Sequence, residues 1–199
     1  MLKPSLQPGR IECGVDEAGR GCLAGPVTAA ALILPEDFSH PLLRDSKALT
    51  AKQRNTIEPI LKEAACSYAI VHVHNHEIDR YNILQASILA MHRAIEKLKT
   101  PPCFIAVDGN YFKPFKNIPH ECVIKGDAKL LHIAGASILA KNARDRYMAE
   151  LGKIHPEYDW HKNKGYPTKA HRQAILEAGV SPYHRISFKL LPENQLSNG

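Results

Sequence analysis

The chain has 199 residues, of which 44% are hydrophobic and 23% charged. This is ordinary globular composition with enough length for one full core, and it excludes a wholly disordered chain. Lys and Arg outnumber Asp and Glu by 26 to 20, a net charge of +6 that favours polyanionic partners. Five cysteines with no C-x-x-C pair exclude a disulfide framework and a zinc ribbon. No signal-peptide core opens the chain and no stretch is apolar enough to span a bilayer, so a cytoplasmic protein is expected. The ends, Met1–Arg10 and Glu193–Gly199, lack periodic pattern and are the segments where disorder is expected.

In chain order, Ile11–Glu17 reads as a strand, followed by a turn punctuated by Gly19, Gly21 and Gly25 and closed by Pro26. Val27–Leu34 is a second apolar run of strand length, so the pair reads as a hairpin. Leu42–Leu49 is a loop carrying Asp45-Ser46-Lys47. Thr50 and Gln53 have capping-box spacing for a helix that Pro59 should kink or split before Ala65. Ser67–His74 has strand composition. Asn82–Lys99 is the strongest predicted helix, with Leu84, Ile88, Met91, Ile95 and Leu98 drawing one apolar stripe before Pro101 and Pro102. Phe104–Val107 is a short strand ending at Asp108-Gly109, and Val123–Ile124 suggests another ending at Gly126-Asp127. Ile133–Leu151 is a second long helix, and a third runs from a Thr168 cap to Gly179. The order strand, strand, strand, helix, strand, strand, helix implies an α/β or α+β sheet domain with a helical C-terminal part. Strands that feed helices by right-handed crossovers place their C-terminal ends along one edge.

Asp16 and Glu17 close the first strand, and Asp108 and Asp127 are assigned to the ends of later ones. Four such acids suit hard divalent cations, which take oxygen ligands. Two ions can activate a water and stabilise the leaving oxygen of a phosphodiester. Without cations the acids would repel and raise one another's pKa. The glycine loop follows at once, and its G-x-G-x-x-x-G spacing before a strand fits neither a dinucleotide fingerprint nor a Walker motif. Its backbone could instead approach a sugar and test for a 2′-hydroxyl, the group by which RNA differs from DNA.

The segment GVDEAGRGCLAGPV at 14–27 resembles the signature of the type 2 ribonuclease H family. DSK at 45–47, EIDRYNILQAS at 77–87, VDGN at 107–110, KGDAK at 125–129 and ASILAK at 136–141 follow in the family's order. RDRYM at 144–148, KGYPTKAH at 164–171 and HRISF at 184–188 complete a resemblance running from Ile11 to Phe188. The resemblance implies a ribonuclease H-like α/β fold, a five-stranded mixed sheet flanked by helices with a helical C-terminal extension. One domain over 1–199 is expected, with a core at about 11–150 and the extension at about 151–190. It implies an endonuclease that hydrolyses RNA in RNA–DNA hybrids and nicks 5′ of single ribonucleotides in duplex DNA, as in ribonucleotide excision repair. The products would be a 3′-hydroxyl and a 5′-phosphate, and the cofactor Mn²⁺ or Mg²⁺. Asp16, Glu17 and Asp108 match the family's main metal ligands, and Asp127 its fourth catalytic acid. Gly19, Arg20 and Gly21 match the loop that senses the 2′-hydroxyl, and Tyr166 the tyrosine that packs on the sugar beside the scissile junction. The family match also favours Lys47 as a phosphate or active-site contact. No protein partner is expected, and a monomer is.

Other residues read more plainly. His72, His74 and His76 alternate and would share a strand face at the surface. Lys141, Arg144 and Arg146 lie on the helix after Asp127, where Arg144 and Asp145 suit a structural pair. Lys162 and Lys164 stand beside Tyr166 in a segment suited to tracking a nucleic-acid backbone, while Trp160 reads as packing. Two alternatives stay open: another nuclease of the same fold, and a catalytically silent nucleic-acid-binding module.

Overall fold

The computed structural model describes residues 2–43 and 49–192. Lys47 and its neighbours Asp45 and Ser46 lie outside the described residues.

An unbroken apolar strand needs cover on both faces, and β2 (Val27–Ile33) is buried at every position. It pairs antiparallel with β1 (Glu12–Ala18) on one side and β3 (Ser67–Val73) on the other. β4 (Phe104–Asp108) and β5 (His120–Val123) continue the sheet in parallel with β1, giving the order β3-β2-β1-β4-β5. The expected five-stranded mixed sheet is therefore present.

Strand alternation sorts the residues of β1 between two helical layers. Cys13 and Val15 face a core shared with Ala29, Val71, Val107 and the α3 helix (Ile83–Glu96). Glu12, Gly14 and Asp16 fall on the opposite face, beneath α4 (Leu131–Ile154). There α4 and the α1 helix (Ala51–Ala64) bury Ile57, Leu61, Ile138 and Leu139 against Ala30 and Leu32. The approach of α4 is so close that a Cβ at Gly14 would lie 2.4 Å from the His132 carbonyl carbon. A third cluster packs Leu23, Met148, Leu151, Tyr158, Trp160 and Ile175 under the C-terminal part, which holds α5 (Trp160–Asn163) and α6 (Lys169–Ala178). No helix among the described residues is long and apolar enough to cross a membrane.

Several expectations need correction. Helix α1 runs unbroken through Pro59, because contacts on both sides hold its halves in line. Ile57 and Leu61 are buried, and Glu58 accepts from Asn142 at 2.8 Å and from both Arg146 nitrogens at 2.6 and 2.8 Å. The helix predicted from Asn82 begins there, with the Asn82 side chain capping Gln85 N–H, but Leu84 is 36% exposed and leaves the stripe. A separate helix, α2 (Asn75–Tyr81), precedes it and was not anticipated, nor was α5. The fifth strand ends at Val123, so Asp127 sits in a 3-10 turn, Gly126–Ala128, and not at a strand end. Only His72 of the three alternating histidines lies in β3; His76 belongs to α2. Asp145 pairs with Arg54 at 2.9 Å instead of Arg144. Residues 2–10, expected to be disordered, are tied down by Lys3 pairing with Leu130 and by Leu6 and Gln7 N–H groups donating to Glu12.

The contact between α1 and α4 rests on Glu58, which also accepts from Lys62 at 2.7 Å. Burial alone would raise this carboxyl, but hydrogen bonds from Arg146, Lys62 and Asn142 bring it down to about 2. A depressed folded pKa stabilises above the unfolded value and is lost as pH falls through the folded one. E58A is therefore expected to lose about 3 kcal/mol near neutrality. Its stability in urea titrations should vary less than wild type between about pH 4.5 and 2.

Candidate active site

Because β1 and β4 are parallel and Val15 pairs with Val107, Asp16 and Asp108 come next on adjacent strands, at the same sheet edge and on the face beneath α4. Asp108 pairs with Val123, and its Oδ1 accepts from Gly126 N–H at 2.6 Å. That bond brings the turn holding Asp127 to the same edge. Glu17 follows Asp16 and so points to the opposite face, toward a cleft shared with Asp108, Arg20, Tyr111 and the α3 residues Leu84 and Ser87. The four acids are neighbours without yet forming a closed cage. Among the described residues, no three His, Cys, Asp or Glu side chains stand ready to clasp an ion. Each of the three strand-end acids has one oxygen engaged locally. Asp16 Oδ1 accepts from Glu17 N–H at 2.7 Å, and Glu17 Oε1 accepts from Arg20 at 3.2 Å.

The electrostatics are unfavourable as they stand. Burial holds the Asp16 carboxyl well above the usual range, and the charges of Glu17 and Asp108 add to this against a hydrogen bond from Ser137 and the charge of Lys141. Glu17 is raised by burial, which Arg20 opposes and Asp108 reinforces. Asp108 is raised by burial and by Asp127, against the Gly126 hydrogen bond. Glu17 Oε2 is buried with no hydrogen-bond partner. A buried polar atom without a partner is costly, so this one wants a ligand. Hard oxygen donors with excess negative charge and one unsatisfied atom fit a divalent cation such as Mn²⁺ or Mg²⁺.

The glycine loop is held from below by two arginines whose importance the sequence hid. Arg185, fully buried, donates from Nε to Gly25 O at 3.0 Å, from Nη1 to Arg20 O at 2.8 Å and from Nη2 to Gly19 O at 2.7 Å. Arg144 donates from Nε to Pro26 O at 2.9 Å, from Nη1 to Lys164 O at 2.9 Å and from Nη2 to Ala24 O at 3.1 Å. Burial lowers the Arg185 pKa to about 10, with Arg144 contributing. Only the presence of both arginines inside the matched segments RDRYM and HRISF hinted at this. Tyr166 stands over the same loop. Leu23 N–H donates to Gly165 O at 2.7 Å, the Tyr166 hydroxyl hydrogen-bonds with the Cys22 thiol, and the Arg144 guanidinium lies 5.8 Å from the ring centroid. Gly19, Arg20, Gly21 and Tyr166 are thus brought together beside Asp16 and Glu17. Lys162 pairs with Asp159 at 3.3 Å, and Lys164 donates to His161 O at 2.8 Å, so neither lysine is a bare cation.

Solved structures show the same fold. The ribonuclease H2 from Pyrococcus horikoshii OT3 matches with a TM-score of 0.76 and 26% identity over 90% of this chain and 94% of that one. Bst-RNase HIII in complex with Mn²⁺ matches at 0.74 with 18% identity, over 90% of this chain and 67% of that one. The fold and its edge of acids define a ribonuclease H-type nuclease, a hydrolytic endoribonuclease. Within that class, the Ribonuclease HII family model matches residues 13–191, and the chain belongs to that family. Ribonuclease HII of Christiangramia forsetii is 59% identical over 90% of this chain and 91% of its own length. That of Parabacteroides distasonis is 57% identical over 100% of both chains.

The two loop glycines differ in what the fold asks of them. Gly19 has φ +91°, and an added Cβ would lie 2.0 Å from Arg144 Nε, whereas a Cβ at Gly21 would meet nothing within 4 Å. G19A is expected to lose at least about 2 kcal/mol of stability. G21A should stay within about 0.5 kcal/mol of wild type in the same urea titration.

Proposed function

We propose that this chain hydrolyses the RNA strand of RNA–DNA hybrids and nicks 5′ of single ribonucleotides in duplex DNA, leaving a 3′-hydroxyl and a 5′-phosphate. Asp16, Glu17, Asp108 and Asp127 are the proposed ligands of Mn²⁺ or Mg²⁺. The observation that carries this reading is the partnerless buried oxygen of Glu17 among acids with raised pKa values. Bound divalent ions would activate water and stabilise the charge of the leaving oxygen. Ser137 and Lys141 orient and partly neutralise Asp16, and the Gly126 N–H fixes Asp108. Gly19, Arg20 and Gly21 offer backbone to the ribose. The open space at Gly21 supports this part, since a glycine the fold does not need there leaves room for a sugar. Tyr166 packs on the neighbouring sugar, and phosphate contacts that carry no sequence information hold the duplex. Lys47 is proposed as one of them from the family resemblance. The chain is proposed to act as a cytoplasmic monomer in repair of ribonucleotides in DNA, without a protein partner. A solved complex pairs the Archaeoglobus fulgidus RNase HII with PCNA.

Two experiments test the reading. In a gel assay on a duplex with one embedded ribonucleotide, D16N and D108N are each expected to lose at least about 10³-fold in cleavage. Their binding to the duplex should change little, and wild type should fall silent in EDTA. Cleavage by either variant at the wild-type rate rejects the assignment. Y166A should slow cleavage at a lone ribonucleotide about tenfold more than cleavage of a uniform hybrid. Equal losses on both substrates exclude the sugar-packing role.

A further inference from the structure

Four ring side chains are buried against one another in the C-terminal part, and the hydrogen bonds among Trp160, His171 and His184 can be assigned one direction throughout. Trp160 and His171 are fully buried, His184 nearly so, and Tyr158 lies against them. Ser181 N–H donates to His184 Nδ1 at 3.0 Å, and a backbone amide can only donate. His184 Nδ1 therefore carries no proton, and the neutral ring holds its proton on Nε2. That atom lies 3.2 Å from His171 Nε2. Trp160 Nε1–H, also donor only, points at the same His171 Nε2 at 2.9 Å. His171 Nε2 is therefore an acceptor, and the neutral ring must hold its proton on Nδ1. Nδ1 lies 2.9 Å from the Tyr166 carbonyl oxygen. That oxygen also accepts from Thr168 N–H at 2.8 Å, which closes a tight turn at Tyr166. Burial lowers the pKa values of both rings, so each is neutral near pH 7, as the chain of donors requires.

We propose that His171 is a positioning residue for substrate recognition: it is fixed in its Nδ1–H tautomer by Trp160 and His184 and pins the Tyr166 backbone. The residue after His184 is Arg185, which grips the carbonyls of Gly19, Arg20 and Gly25. One short segment thus sets both the tyrosine, through the His184–His171 pair, and the glycine loop. Discrimination between a ribonucleotide followed by DNA and one followed by RNA depends on the spacing of those two surfaces, and a displacement on the order of 1 Å is enough to matter. The inference rests on the sugar-packing role proposed for Tyr166.

The test has a spectroscopic arm and a kinetic arm. Long-range ¹H–¹⁵N correlation spectra of the full wild-type chain at pH 7 should show His171 protonated at Nδ1 and His184 at Nε2. Either ring in the opposite tautomer, or His171 charged, overturns the proposal. In the kinetic arm, H171N restores a donor at the Nδ1 position, whereas H171Q reaches only the Nε2 position. H171N should keep the wild-type ratio of lone-ribonucleotide to uniform-hybrid cleavage within about twofold, and H171Q should lower that ratio about tenfold. Equal ratios in the two variants, whether high or low, overturn the positioning role. Melting temperatures identify variants that fail to fold, and the wild-type spectra then decide alone. Y166A in the same assay separates the two ideas. A wild-type ratio there removes the sugar-packing reading, while the tautomers still report whether the relay exists.

Discussion

Carboxyl groups held together away from water repel one another, and the rest of this structure is arranged around that fact. Asp16 is 5% exposed and has Glu17 and Asp108 as charged neighbours. Burying such groups costs several kcal/mol each unless they find partners. The fold supplies only partial ones: a Ser137 hydroxyl, the Lys141 charge, the Gly126 amide and the exposed Arg20. Stability thus comes from the apolar layers on both faces of the sheet, and the acids sit at its edge as a liability. A divalent cation would relieve that liability, as the metal ligation proposed for these residues requires.

The glycine loop raises the opposite problem, because its carbonyls have few backbone donors of their own. Buried guanidinium groups solve it. Arg144 and Arg185 donate to six carbonyl oxygens and, in those bonds, to no carboxylate. Arginine suits the task since its rigid fork reaches several acceptors at once and keeps its charge when buried. A guanidinium rigidifies the loop from beneath and leaves the upper surface of its backbone for a ligand. Arg144, bonded to Lys164 O as well as to Ala24 O and Pro26 O, also joins the Tyr166 segment to the loop, although more than a hundred residues of sequence separate them.

Membership of the Ribonuclease HII family accounts for why these devices occur together. A sheet edge alone could hold ions, and a glycine loop alone could be a turn. Only their adjacency makes a site that could couple hydrolysis to the presence of a ribose. Under the proposed function, specificity would be a matter of spacing between rigid parts, and the buried His171, His184 and Arg185 are placed where that spacing is set.

Much was legible in the chain itself. Apolar runs of strand length placed β2 and β4, strand-type composition placed β1 and β3, and an apolar stripe at helical spacing placed the core of α3, because burial leaves a trace in side-chain type. The Thr50 and Thr168 caps were readable for the same local reason: each hydroxyl answers an amide three residues on. Elements without such a trace were missed. α2 is short and mostly polar, α5 spans one turn, and Asp127 follows a strand whose side chains are only partly buried. Pro59 misled because its local cost is outweighed by Glu58 and its neighbours, whose partners lie about ninety positions away. By itself, then, the sequence determined the family, that Asp16, Glu17 and Asp108 stand at strand ends, and that a glycine-rich turn follows the first strand. Only the tertiary structure decided that Asp16 and Asp108 share one face while Glu17 takes the other, and that Arg144 and Arg185 turn inward to carbonyls. The approach of Trp160, His171 and His184 to hydrogen-bond distance of one another was likewise decided only there. Those are relations between atoms distant along the chain, fixed by parallel register and burial, and no local pattern encodes them.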